Sequence, residues 1–189
     1  MANKDAAFGL RPIGKVGQNG DNNGLYEYDI EASATAIYQN DPVEMLATGT
    51  IGVAAAGDVL LGSLNGVFFT DATTSKPTFA NHLNASNTAS DIVGFVSDDP
   101  YQRFEVQSNN SGASAQTDIG NVANIAYTAG SSPNYVSKVE LDDSDLATSD
   151  GQLKVIGLSK NPENNDLTSA NVNWVVTINE HFLKQEAGI

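Results

Sequence analysis

Asn171–Asn179 reads NVNWVVTIN: Val172, Trp174, Val176 and Ile178 fall on one phase of a two-residue period, with Asn173, Thr177 and Asn179 on the other. Successive side chains of a strand point to opposite faces, so this alternation describes a strand with one buried side. The same period recurs in LYEYDI (25–30), AIYQ (36–39), RFEVQ (103–107), YVSKVEL (135–141) and QLKVIGL (152–158). Between these runs lie QNGDNNG, NHLNASNTASD, SNNSGASAQTD, TAGSSPN and SKNPENNDLTSAN. Asn, Asp, Ser and Gly favour turns because they tolerate positive φ or hydrogen-bond their own backbone. Many short strands joined by polar loops predict an all-β chain, built as a single β-sandwich, jelly-roll-like or β-barrel domain.

In DVLLGSLNGVFFTD, Asn65-Gly66 is the dipeptide preferred in a two-residue hairpin turn, so strands are expected at 60–64 and 67–70. Their residues are apolar on both faces, which requires a central position or cover from a partner chain. Helical spacing is weak: DIGNVANIAY (118–127) allows a short helix or loop. The organisation expected is an extended N-terminal arm, residues 1–20, followed by one β domain, residues 21–189.

The 189-residue chain, 40% hydrophobic, is long enough to bury a full core without covalent staples, and it has no cysteine. That removes disulfides, thiol catalysis and thiolate metal sites together. A formal charge of −14 with nine Lys and Arg argues against direct contact with nucleic acid, whose backbone demands a dense cationic track. No apolar run approaches the ~20 residues a membrane helix needs, and the N-terminus lacks the apolar core of a secretory signal. No membrane association is expected, and the protein is expected to be made and used without export.

No reaction centre can be assembled from the residue types and spacings present. His82 and His181 are isolated and have no metal-ligand partner at i+2 or i+4. The acidic stretch Glu140–Asp150 is dense in carboxylates but does not follow the twelve-residue calcium-loop pattern, and it reads as a solvated turn. Trp174 reads as a core or interface anchor. The glycine-rich QNGDNNG fits neither phosphate-loop nor dinucleotide spacing. No catalytic, cofactor or metal residue is expected, and a structural or binding role is the default.

Three stretches, MANKDAAFGLRPIG (1–14), DPYQRFEVQSNNSGASAQTDIGNVANI (99–125) and LKVIGLSKNPENNDLTSANVNWVVTINEHF (153–182), together resemble a family of tailed-bacteriophage head decoration, or cement, proteins. The resemblance implies a protein made in the host cytoplasm and carried on the virion, on the outer surface of the capsid, that stabilises contacts between major capsid protein subunits. It also implies self-association, as a homotrimer more than a dimer, and it carries no catalytic residues. On this view the arm is the contact element. Phe8, Leu10 and Ile13 supply apolar anchors, while Lys4, Arg11 and Lys15 face acidic patches on capsid or neighbouring decoration subunits. Pro12 reduces the entropy lost on docking. Docking to another subunit is expected over folding back on the chain's own domain, because glycines at 9, 14, 17, 20 and 24 weaken a regular strand. The alternative is a virion-surface carbohydrate- or receptor-binding module, head-fibre or adhesin-like.

Overall fold

A computed structural model describes residues 2–17, 24–109 and 113–185. Its regular structure is β-strand, with short 3₁₀ turns at Gln116–Asp118, Asp143–Asp145 and Phe182–Lys184. In chain order the strands are β1 (Arg11–Lys15), β2 (Tyr26–Asp29), β3 (Pro42–Met45), β4 (Ile51–Val53), β5 (Leu60–Thr70), β6 (Pro77–Ala80) and β7 (Val93–Ser97). Then follow β8 (Gln102–Gln107), β9 (Val122–Ala123), β10 (Ile125–Ala126), β11 (Glu140–Leu141), β12 (Leu153–Leu158) and β13 (Asn173–Ile178). The chain is all-β, as the two-residue periodicity predicts.

The strands form two main antiparallel sheets. The first runs β1-β8-β13-β12-β9, so its centre is the stretch NVNWVVTIN, held by β8 on one side and β12 on the other. The second runs β2-β7-β5-β3-β4, and β6 also pairs with β5. β10 and β11 make a separate two-stranded ladder. Each sheet has its own apolar cluster. Phe104, Val106, Leu153, Val155, Trp174 and Val176 centre the first, and Ile37, Val43, Ile51, Leu64, Val67 and Val96 the second. Adjacent residues of β5 divide between them, with Leu60 in the first cluster and Leu61 in the second.

The Asn65-Gly66 hairpin does not form. β5 runs unbroken through both residues and absorbs the extra one as an irregularity between Leu64 and Gly66 in its pairing with β7. A turn there would have cut the strand that β3, β6 and β7 all need. Val67 pairs with both Ala80 of β6 and Gly94 of β7, so β5 is central, the first of the two options its two-faced apolar pattern allowed. The 135–141 segment is likewise strand only at Glu140–Leu141, and the 118–127 segment divides between a 3₁₀ turn and the short β9 and β10.

The N-terminal segment departs most from expectation. Residues 3–17 fold onto their own domain. β1 pairs with β8, with Arg11 opposite Glu105 and Lys15 opposite Gln102. Leu10 is fully buried in the first cluster. Its N–H donates to the Asn40 carbonyl (2.9 Å), and its carbonyl accepts from Ser63 Oγ (2.6 Å). The segment therefore bridges the two sheets as a seam. One of the five glycines, Gly9, is what allows this. Gly9 sits at φ +73°, and a Cβ there would collide with the Asn40 carbonyl and Ser137. Residues 18–20 lie outside the described residues.

Candidate functional site

The seven residues expected to meet another subunit divide once folded. Leu10 is removed from any external contact by burial in the protein's own core. Arg11 reaches Glu105, and its guanidinium lies 4.5 Å from the centre of the Phe8 ring. Glu105 is almost fully buried; burial alone would push its carboxyl up. Bonds from Ser159 Oγ (2.6 Å), the Arg11 guanidinium and Asn173 Nδ2 (3.1 Å) outweigh this and hold it below the usual range. Lys15 pairs with Asp99 at 2.6 Å, and Lys4 with Glu163. The three cations thus neutralise carboxylates of their own chain. Lys4 and Arg11 make these pairs while staying exposed, whereas Lys15 is largely covered. Pro12 is locked in the β1–β8 ladder opposite Phe104. Arg11, Pro12 and Ile13 are all exposed on β1, Ile13 at 48%, and Val16 and Leu25 are exposed apolar residues as well.

The most exposed large apolar side chain among the described residues, Phe79, lies instead on the outward face of the second sheet. In the pairing register Glu27 of β2, Phe95 of β7 and Gly66 of β5 lie side by side. The next row is Asp29, Val93, Phe68 and Phe79. Directly opposed residues share a face, so four apolar side chains stand together there. Phe79 is 74% exposed. Its ring centre is 4.8 Å from that of Phe68 and 6.3 Å from that of Phe95. A shallow depression of about 320 Å³ lies beside Phe79 and Phe95, lined also by Asn65, Gly66, Val67, Ala80 and Asn81. Phe68 was visible in the sequence as part of a strand apolar on both faces. Phe79 and Phe95, far apart along the chain, gave no comparable signal.

Around the corner from this depression, His82 and Tyr135 stack with ring centres 3.8 Å apart and planes within 2°. Tyr38 lies 6.3 Å from His82. Asn81 Oδ1 is 2.9 Å from His82 Nδ1, and Asn81 Nδ2 donates to the Asn134 carbonyl at 3.1 Å. Tyr135 takes φ +53°, an uncommon conformation for a bulky side chain.

His181 is buried, and its Nδ1 accepts from the Leu183 N–H at 3.1 Å, capping the last 3₁₀ turn. Its Nε2 has no hydrogen-bond partner among the described residues. Trp174 is fully buried at the centre of the first cluster. In the acidic stretch, Asp142 caps Ser144 and Asp145 accepts from Asn124 Nδ2 (2.7 Å), so these carboxylates organise a 3₁₀ turn. Among the described residues no group of three or more His, Asp or Glu side chains is disposed to hold a metal ion, and no helix is long and apolar enough to cross a membrane.

Compared with known proteins, the chain matches no family profile, no curated protein and no solved structure.

Proposed function

We propose that the protein is a decoration or cement component of a tailed-phage head, binding the outer surface of the capsid and stabilising contacts between major capsid subunits. One observation supports this beyond the resemblance in the sequence. The three stretches that carry it, separated by up to about half of the chain, supply β1, β8, β9, β12 and β13, which are the five strands of a single sheet. Separate blocks that become neighbours in one sheet are what a shared structural unit would produce.

The mechanism is linkage. A protein that binds the assembled shell but not its dissociated subunits lowers the free energy of the assembled state, and no bond is made or broken. A preformed β domain loses little conformational entropy on docking. Heads assembled without the protein, from the major capsid protein of the same genome, provide the test. Added protein should bind saturably and raise the temperature at which heads release DNA. Absence of saturable binding would end this reading.

The ring stack at Tyr38, His82 and Tyr135, set among Asn81 and Asn134, favours one second reading, a carbohydrate-binding module on the virion surface. Flat rings beside amide donors and acceptors suit sugar rings. Retention on a glycan array, abolished by Tyr135→Ala with heads still bound, would support that reading.

A further inference from the structure

We infer that the outward face of the second sheet, centred on Phe79, is the surface that docks the protein to its partner, and that the partner presents an apolar side chain ringed by Lys or Arg. This rests on the decoration reading, with the shell protein as the occupant. The observations behind it are an exposed aromatic face with a shallow depression beside it and a charge pattern that selects what can approach.

Glu27 and Asp29, both exposed on β2, occupy the same face as Phe95 and Val93, one row after the other. Asp91, exposed, lies just before β7, and its Oδ1 accepts from the Thr70 N–H at 2.9 Å. The imbalance extends through this half of the molecule: between residues 24 and 99 the sequence has ten Asp and Glu against one Lys and no Arg. Three of the other cations, Lys4, Arg11 and Lys15, are engaged with Glu163, Glu105 and Asp99. An apolar patch rimmed by carboxylates favours a partner whose own patch is rimmed by cations. A second copy meeting this face through the same face would bring Glu27, Asp29 and Asp91 against their equivalents, and the −14 charge opposes self-association generally. The shell protein is therefore favoured over a second copy.

Phe79 is suited to the anchoring role. An aromatic ring brings large contact area with few rotamers to freeze, and the shallow depression beside it can seat part of a reciprocal side chain. Because Phe79 is mostly exposed, its removal should disturb folding little.

The test uses full-length wild type, Phe79→Ser, and the double variant Glu27→Lys with Asp29→Lys. Binding to undecorated heads is measured at about 50 and 300 mM salt, and each variant is first shown to unfold at the wild-type urea midpoint. The expected result is saturable wild-type binding that weakens at the higher salt, as for oppositely charged surfaces. Phe79→Ser and the charge reversal should each lose at least tenfold in affinity. Wild-type binding with both variants unimpaired would overturn the docking face and leave the decoration reading standing. Failure of wild type to bind heads would overturn both. Dissociation of a wild-type oligomer by Phe79→Ser, with self-association strengthening as salt rises, would make the occupant a second copy and overturn the assignment to the shell. Retention on glycans lost in Phe79→Ser, with binding to heads intact, would also overturn it.

Discussion

At the residue scale the structure depends on a few positions with no freedom of choice. Gly9 combines φ +73° with backbone contact that admits no Cβ. Gly9→Ala should cost at least about 2 kcal/mol in urea unfolding, since conformational strain adds to the displacement of the Asn40 carbonyl or Ser137. Two buried titratable groups set opposite pH dependences. Burial pushes the Asp41 carboxyl up to about 6, only partly opposed by Ser137 and the Tyr38 N–H. The unfolded chain then releases this proton first, so stability falls as pH rises from about 4 to 6 and stays lower above. Asp41→Asn should gain on wild type by roughly 2 kcal/mol at pH 8 and lose most of that advantage near pH 4. Burial, helped by the charge of Lys184, holds the His181 imidazole down to about 4. The unfolded chain therefore takes up this proton first on acidification, and stability is lost as pH falls from 6.5 towards 4. Proton NMR should show His181 neutral at pH 5.5; an imidazolium signal at that pH would contradict its burial.

At the scale of the element, β1 and the residues before it help to hold the two sheets together, alongside the bonds of Leu60 to Glu180 and of Gln152 to Ala55 and Asp58. Leu10 fills the first cluster, and its backbone bonds to Asn40 and Ser63, both belonging to the other half. Leu10→Ala should cost about 3 kcal/mol by the lost burial and the cavity left behind. Removal of residues 2–17 should destabilise the fold as a whole, rather than trimming a free appendage. Limited trypsin digestion checks the same point without mutation. Lys15, paired with Asp99 and in the β1–β8 ladder, should resist cleavage in the native protein and be cut promptly in urea. How much of this could be read along the chain varies by element. The periodicity of 171–179, 152–158, 103–107 and 25–30 marks β13, β12, β8 and β2 correctly, because in each the apolar side chains alternate towards an apolar cluster while polar ones take the other face. β5 was misread because Asn65-Gly66 is a turn dipeptide only when no neighbour claims the strand. Here β7 pairs with β5 through Gly66 and β6 joins from Val67 onward, and together they outweigh the local preference. β1 was missed because its partner, β8, lies about ninety residues away, and a glycine-rich segment shows its value only against that surface.

At the scale of the whole molecule, charge is distributed by half. The second sheet and its loops are almost purely acidic, whereas the N-terminal seam uses its cations internally. Self-repulsion of a −14 chain destabilises the compact state, so the urea midpoint should rise between about 10 and 500 mM salt as the charges are screened. A falling midpoint would mean that the internal ion pairs dominate over the net repulsion. The same charge that opposes self-association favours a cationic surface as partner, as the proposed docking face requires.

The sequence by itself determined the class of fold, the absence of sulfur chemistry and the acidic character. Alternation, turn residues and composition are local or additive properties, and local properties can be read in order along a chain. Only the tertiary structure decided that the N-terminal segment is a seam rather than an arm, that Leu60 and Leu61 serve two different clusters, and that Phe68, Phe79 and Phe95 share an outward face. Each of these depends on which strand lies beside which. Strand pairing is a contest among distant partners, in which the burial of Leu10 or the continuity of β5 outweighs the preference of any dipeptide.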